Sequence, residues 1–428
     1  MAVLSPISSR KEMGRRAAQA QKRIVTKEKE QQMVKQKIGI YGGSFNPPHK
    51  GHTYSAKAAV EQLGLSRLIV VPSGSPPHKL LPDGGPDAGE RLEMVREAFR
   101  GFPDCEVSDI EIRRPGESYT VDTLRELKKN YPGAEFFLIV GSDMFLTLRQ
   151  WKDADEILRL AAPAVTLRRS AGVSELAPEL AALGALGVSV ETVKNAVIDV
   201  SSSELRRGLP RREFAQQSDE RVYSYIIEHG LYGAKPDFDW LRFQAYKLLS
   251  PERRLHVAGC EAETVRLAKR YGADEDEARE AAILHDITKK LSEEEQLALC
   301  EAYAVPLTEH MRKVPKILHG HTAAALAAAK FGVSDDVKSA IKWHTTGRAG
   351  MTELEKIIYV ADTIEPSRDF DGVDELRELA YRDLDEVTLV YVNTTISELQ
   401  AAGQTVDTTT FATAEYLKAK VAGTATGL

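Results

Sequence analysis

The sequence predicts an α/β domain built on a mostly parallel sheet, followed by an all-α domain. Three observations carry this reading. From Lys37 to about Gly230, short apolar runs alternate with stretches of helical spacing, the pattern of a parallel sheet covered on both faces. After Pro236 the β-branched runs end and helical periodicity takes over. Between the two patterns, Gly230, Gly233 and Pro236 cluster as punctuation. The expected organisation is a tail over 1–36, the α/β domain over 37–235 and the helical domain over 236–428.

The tail comes first. Through Lys37 it holds ten basic residues against Glu12, Glu28 and Glu30, a net +7, with few large apolar residues. Such a segment reads as a flexible, solvated tail or a loose helix. An organellar transit peptide or a nucleic-acid arm is the alternative.

In the α/β region, Ile38–Tyr41, Arg67–Val71, Cys105–Ile110, Phe136–Val140, Ala164–Leu167 and Ala196–Val200 read as buried strands. Thr53–Leu63, Gly89–Phe99, Thr120–Lys129 and Ala154–Leu160 have helical spacing. In the second region, Glu261–Tyr271, Glu275–Leu284, Glu293–Ala302, Thr322–Phe331 and Thr352–Ala361 are the expected helices.

Composition bounds the rest. The chain has 428 residues, 43% of them hydrophobic and 28% charged, which excludes disordered and collagenous classes. Cys105, Cys260 and Cys300 are too few and too scattered for a disulfide framework or a thiolate zinc site, so a reducing, cytoplasmic setting is expected. No apolar run reaches the roughly 18 residues of a membrane span. The net charge of −6 gives no reason to expect nucleic acid or membrane as a partner, and a homo-oligomer is compatible with it.

The string Gly42-Gly43-Ser44-Phe45-Asn46-Pro47-Pro48-His49-Lys50-Gly51-His52 follows the first strand and runs into the first helix. Gly42 and Gly43 let backbone amides approach an anion, and a helix start attracts phosphate. His49 and His52 add donors that suit a developing phosphoryl charge.

This string resembles the HxGH signature of the nucleotidyltransferase superfamily, which implies a Rossmann-like domain. Ser202-Ser203-Glu204-Leu205-Arg206 resembles the superfamily's second motif, with Ser203 in place of threonine. Pro76-Pro77-His78-Lys79, Ser118-Tyr119-Thr120-Val121-Asp122-Thr123, Gly141-Ser142-Asp143 and Trp151-Lys152 are similar to blocks of bacterial nicotinate-nucleotide adenylyltransferase, over about residues 37 to 232. The resemblance implies adenylyl transfer from ATP, with Mg²⁺, to nicotinate mononucleotide, giving deamido-NAD and pyrophosphate. His49, His52 and Arg206 would be catalytic. Gly42, Gly43, Ser44, Phe45, Tyr119, Thr120, Gly141, Asp143, Ser202 and Ser203 would bind nucleotide, His78 and Lys79 the acceptor phosphate, and Trp151 the pyridine ring. On residue type alone, Trp151 also fits a core position and Asp143 a helix cap. A different phosphorylated acceptor is the alternative substrate.

Seven of the ten histidines fall at position 229 or beyond. His256, the pair His285-Asp286, His319, His344 and Asp362 combine imidazole and carboxylate donors, a set suited to first-row metals. This set resembles the HD-domain metal phosphohydrolases. His285-Asp286-Ile287-Thr288-Lys289 and Ala361-Asp362-Thr363-Ile364-Glu365-Pro366-Ser367-Arg368 look like the YqeK branch, whose members split diadenosine tetraphosphate symmetrically into two ADP. The resemblance implies that His256, His285, Asp286 and Asp362 hold iron, manganese or another divalent metal, with Asp286 also catalytic. His319 and His344 would complete a second metal position or contact phosphate, while Arg253, Lys289 and Arg368 would neutralise the polyphosphate. His321 diverges from His319 by about 200° on a helix and reads as structural. The chain departs from the branch over Asp407–Glu415, where Thr408 replaces a proline and Ala414-Glu415 a nucleotide-holding pair. A nucleotide-sensing helical domain without turnover is the alternative to catalysis.

Overall fold

The computed structural model describes residues 36–76, 84–167, 173–194, 200–213 and 215–423. The basic tail up to residue 35, the expected acceptor residues His78 and Lys79, and residues 196–199 of the expected last strand lie outside the described residues. The chain forms two compact units, one running to Arg206 and taking in Gln217–Val222, the other comprising Arg207–Gln216 and Tyr223 onward.

The first unit is built on a six-stranded sheet, with β1 Lys37–Gly43, β2 Arg67–Pro72, β3 Cys105–Val107, β4 Glu135–Gly141, β5 Ala162–Thr166 and β6 Glu191–Val193. The order is β3-β2-β1-β4-β5-β6 and every pair is parallel. The run Ile38-Gly39-Ile40-Tyr41 is buried throughout, as a central strand covered on both faces requires. From β1 the chain moves outward through β2 and β3, then returns to place β4 on the other side of β1. That reversal is a topological switch point, and ligands bind outside the carboxyl ends of the strands at such a point.

The helices of this unit are α1 Lys50–Leu63, α2 Ala88–Phe99, α3 Ile110–Arg113, α4 Thr120–Asn130, α5 Ser142–Phe145, α6 Ala154–Leu160, α7 Val173–Ala185 and α8 Ser202–Gly208. α1 begins three residues earlier than its apolar spacing indicates, because His49 acts as its N-cap. The expected strand Cys105–Ile110 stops at Val107, and Ile110 opens α3 instead. Ser108 explains the break: its Oγ accepts from Ile110 N at 3.4 Å, the local bond with which serine diverts a chain from a ladder.

The second unit is helical. After α9 Glu220–Glu228 come α10 Phe238–Leu248, α11 Pro251–Tyr271, α12 Glu275–Leu284, α13 Glu293–Ala302, α14 Glu309–Lys313, α15 Leu318–Phe331, α16 Asp335–Trp343, α17 Glu353–Ile364, α18 Val373–Ala380, α19 Leu384–Ala401 and α20 Thr408–Val421. α11 starts ten residues before its expected segment because Ser250 caps it, accepting from Arg253 N, with Pro251 at the first helical position. α11, α12, α15, α16 and α17 pack on one another through a shared core in which Ala278, Ala281, Ala282, Ala323, Ala324, Ala327 and Ala340 are buried. Small side chains at these contacts let the helices approach closely. Arg212 belongs to this unit, with ion pairs to Asp276 at 3.0 Å and Glu280 at 2.7 Å. Among the described residues no helix is long and apolar enough to cross a membrane.

Candidate active sites

At the carboxyl end of β1, Gly43 leaves space that a Cβ would fill, since its Cβ would stand 3.2 Å from the ring of Phe45. Phe45 takes a positive φ of 45° and buries its ring against Tyr41 and His52, with centroids 5.6 and 5.0 Å away. The chain then reaches His49, whose extended backbone starts α1. His49 and His52 are both buried, and their rings lie 3.8 Å apart. The His49 backbone N–H donates to His52 Nδ1 at 3.1 Å. A backbone N–H can only donate, so Nδ1 is an acceptor and the neutral His52 ring carries its proton on Nε2. His52 therefore offers an N–H donor, the polarity that stabilises an anionic phosphoryl oxygen.

The expected partners from α8 come to the same loop. Ser202 Oγ donates to Pro47 O at 2.8 Å, and Arg206 Nη1 donates to Asn46 O at 2.5 Å while its Nη2 reaches Ser203 Oγ at 3.1 Å. Arg206 thus holds the turn before His49 as well as presenting charge beside it. On the other side of the switch point, β4 ends at Gly141, which caps α5, and Asp143 is exposed in the first turn. Asp143 is therefore not the cap residue that its type allowed. Tyr119 precedes Thr120, the first residue of α4, and Lys152 Nζ sits 3.9 Å from the Tyr119 ring centre and 3.8 Å from Asp122. Trp151 is half-buried against the sheet's core, with Nε1 donating to Thr147 Oγ1 at 3.4 Å.

One support of this site escaped the sequence reading, and a second, Ser118, was quoted there within a block but given no role. Arg91, on α2, is wholly buried and donates to Ser44 O at 3.0 Å, Ser73 O at 2.7 Å and Gly74 O at 2.9 Å. It ties the loop after β1 to the loop after β2. Ser118 secures the second loop, its Oγ accepting from Gly74 N at 3.1 Å and Ser75 N at 3.2 Å. Gly74 itself passes so close to Glu111 that a Cβ would stand 2.6 Å from the Glu111 carbonyl oxygen. A buried arginine in an amphipathic helix is the one signal that could have flagged Arg91, because such a cation needs several acceptors.

In the helical unit the expected residues converge from five helices. His256 lies within α11, His285 and Asp286 directly follow α12, His319 is the second residue of α15, His344 directly follows α16, and Asp362 lies in the last turn of α17. Two triads, His256 with His285 and Asp362, and His285 with Asp286 and His344, each hold their donor atoms within 4.8 Å of one another. His256 Nε2 is 3.0 Å from Asp362 Oδ1, and His319 Nε2 is 3.1 Å from His344 Nε2 and 3.4 Å from Asp286 Oδ1. The positive side chains surround this set: Arg253 reaches Asp286 Oδ2 at 2.9 Å, Arg368 reaches Asp362 Oδ1 at 2.7 Å, and Lys289 lies 2.9 Å from His319 Nε2.

The ring orientations follow from local backbone chemistry. A helix end leaves carbonyls without intrahelical donors. His285 and His344, at two such ends, send Nδ1 to Ala282 O at 2.7 Å and Ile341 O at 2.6 Å, and His319 sends Nδ1 to Lys316 O at 2.6 Å. A carbonyl only accepts, so Nδ1 carries the proton and Nε2 presents a lone pair in the neutral ring, the form that binds a metal. Burial, with His344 and Lys289 adding to it, pushes His319 down to about 3, so this ring stays neutral at ordinary pH.

His256 Nε2, His285 Nε2 and Asp286 Oδ1 are buried and make no hydrogen bond. Buried polar atoms almost always find a partner, and each of these three residues belongs to at least one of the two triads, whose donors fit a bound cation. Thr345, whose Oγ1 is 3.3 Å from both His319 Nε2 and His344 Nε2, and Glu365, 3.0 Å from His256 Nδ1, join the site without having been singled out. His321 packs edge-on against Trp343 at 5.5 Å, with burial pushing it down to about 4, in keeping with a structural part. In the departing segment, Ala414 is buried against Met351, Tyr359 and Val392, and Glu415 is exposed.

Comparison with known proteins divides the chain in the same way. Residues 40–208 match the family described as Cytidylyltransferase-like, and residues 254–367 match the HD domain. A "Probable nicotinate-nucleotide adenylyltransferase" of Geotalea daltonii is 40% identical over 218 residues, covering 46% of this chain and 98% of that protein. One of Gloeobacter violaceus is 36% identical over 199 residues, covering 46% of this chain and 96% of its own length. A crystal structure of a "predicted HD superfamily hydrolase involved in NAD metabolism" from Clostridium acetobutylicum is 36% identical, covers 44% of this chain and 100% of its own, and has a TM-score of 0.43.

Proposed function

Since the chain belongs to the nicotinate-nucleotide adenylyltransferase family through its first half and carries an HD domain in its second, we propose that it is a bifunctional enzyme of adenine nucleotides. In the first half, a phosphate oxygen of nicotinate mononucleotide attacks the α-phosphorus of ATP. The bond to the β-phosphate oxygen breaks, releasing pyrophosphate and leaving deamido-NAD. The acceptor supplies its own nucleophile, so the protein contributes position and charge. His52, with Nε2–H as a donor, and His49 beside it stabilise the transferring phosphoryl group. Gly42, Gly43, Ser44, Phe45, Ser202, Ser203 and Arg206 cradle the triphosphate, which arrives with Mg²⁺. Tyr119, Thr120, Gly141, Asp143 and Trp151, with His78 and Lys79, receive the acceptor.

In the second half, water adds to an inner phosphorus of diadenosine tetraphosphate and the central bridging P–O bond breaks, giving two ADP. The observation that supports this reading is the convergence of imidazole and carboxylate donors from separate helices into two triads that share His285. His256, His285, Asp286 and Asp362 would hold a divalent metal of the iron or manganese class, with His319 and His344 able to complete a second position. Such an ion supplies Lewis-acid charge to a phosphoryl oxygen and makes water more acidic. Arg253, Lys289 and Arg368 neutralise the polyphosphate.

The test incubates the purified full chain with ATP, Mg²⁺ and nicotinate mononucleotide, and separately with diadenosine tetraphosphate and Mn²⁺ or Fe²⁺, and resolves the products by chromatography. Deamido-NAD and ADP are expected. A preference for nicotinamide mononucleotide would overturn the acceptor, AMP with ATP as products would overturn symmetrical cleavage, and metal binding without turnover would leave the helical half a sensor.

A further inference from the structure

Three of the four histidines in the helical site are oriented by backbone carbonyls, and the fourth is not. His256 lies inside α11, where the carbonyls one turn back already accept helix hydrogen bonds. Its Nδ1 instead meets a carboxylate, Glu365 Oε1, at 3.0 Å. Glu365 is wholly buried at the end of α17. Ser367 holds it there, donating N–H to Oε2 at 2.8 Å and Oγ–H to Oε1. Arg377 fixes the turn that carries it, donating to the carbonyls of Ile364 at 2.9 Å, Glu365 at 3.1 Å and Arg368 at 2.8 Å.

Space for this carboxylate comes from α11 itself. Gly259 is three residues after His256, on the same helical face, and a Cβ there would stand 2.3 Å from Glu365 Oε2. The carboxylate fits against the helix only because position 259 has no side chain. A carboxylate behind an imidazole fixes its ring and makes its far nitrogen more basic, which strengthens a metal bond.

We infer that Glu365, admitted by Gly259 and held by Ser367, is a positioning residue that sets the metal-binding strength of His256. This rests on the reading of the helical half as a metal site. His256 is then the ligand whose donor strength is raised by a full negative charge, while His285, His319 and His344 rely on neutral carbonyls.

The test measures Mn²⁺ and Co²⁺ affinity of the full-length protein by competition with a chromogenic chelator, together with the visible absorption of the Co²⁺ form. Glu365→Gln keeps an acceptor for Nδ1 and removes the charge, and it should weaken binding by about tenfold. Gly259→Ala keeps every charge but displaces the carboxylate, so it should weaken binding several-fold and shift the Co²⁺ bands. Adenylyl transfer by the first half should be unchanged in both variants, as a check on the preparation. Affinities within twofold of the parent, with unshifted bands, in both variants would overturn the inference even where melting temperatures fall. A parent that binds neither ion would instead overturn the metal-site reading on which it rests.

Discussion

His49 donates its backbone N–H to Nδ1 of His52 at 3.1 Å, and this one bond decides which nitrogen of His52 carries a proton. In the helical unit the backbone does the reverse, offering carbonyls to Nδ1 of His285, His319 and His344. The same side chain thereby presents an N–H donor in one half and a lone pair in the other, as the proposed phosphoryl and metal roles require.

The polarity of His52 is open to a direct test. His52→Asn retains an acceptor for the His49 N–H but loses the distal donor, and it should lower kcat for adenylyl transfer by about 10²- to 10³-fold. His52→Gln, which can place an N–H near the position of Nε2, should lose less. Steady-state pyrophosphate release measures both. Equal losses in the two variants would show that the distal donor is not what matters.

Arg91 should act on the same reaction from a distance. Removing its guanidinium orphans the buried carbonyl of Ser73 and the half-buried carbonyls of Ser44 and Gly74, so Arg91→Met should cost about 2 kcal/mol or more of stability. Denaturant unfolding followed by a probe in the first unit would register the loss. Arg91→Lys should recover part of it, since an ammonium can reach some but not all of the three acceptors.

How much of this was legible in the chain differs by residue. His49 and His52 stood out because a glycine-rich turn into a helix has a phosphate-binding mechanism of its own, and the set from His256 to Asp362 because imidazoles and a paired carboxylate are conspicuous in an otherwise alanine-rich helical run. Arg91, Thr345 and Gly259 were not singled out, and Glu365 was quoted within its block without a role, since each acts through a partner that only tertiary packing brings near: Gly259 and Glu365 are over a hundred positions apart. Boundaries moved where a cap outweighed periodicity, as at His49 and Ser250, or where Ser108 ended a strand.

The thiols give a pH-dependent prediction. Burial, with Glu106 adding to it, pushes Cys105 up to about 12, and burial raises Cys260 and Cys300 as well. A raised thiol pKa means the folded state keeps a proton that the unfolded state releases. The associated stability is present below pH 9 and, for Cys105, is lost between about 9 and 12. Iodoacetamide at pH 8 should therefore label the native protein much more slowly than the denatured one, as mass spectrometry of the peptides containing Cys105, Cys260 and Cys300 would read.

Metal exchange should separate the two halves. After dialysis against a chelator, Mg²⁺ alone should restore adenylyl transfer, because Mg²⁺ enters with ATP. Hydrolysis should need Mn²⁺ or Fe²⁺, since the imidazole-rich donor set suits those ions better than Mg²⁺. Product assays after each addition check this, and full hydrolysis with Mg²⁺ alone would contradict it.

That one chain carries two independent catalytic sites can be read from both activities in the full-length His52→Ala and Asp286→Ala variants. The predicted result is a crossed pattern: His52→Ala abolishes deamido-NAD formation and leaves ADP release from diadenosine tetraphosphate intact, and Asp286→Ala does the opposite. Loss of both activities in either correctly folded variant, or survival of ADP release in Asp286→Ala, would contradict it.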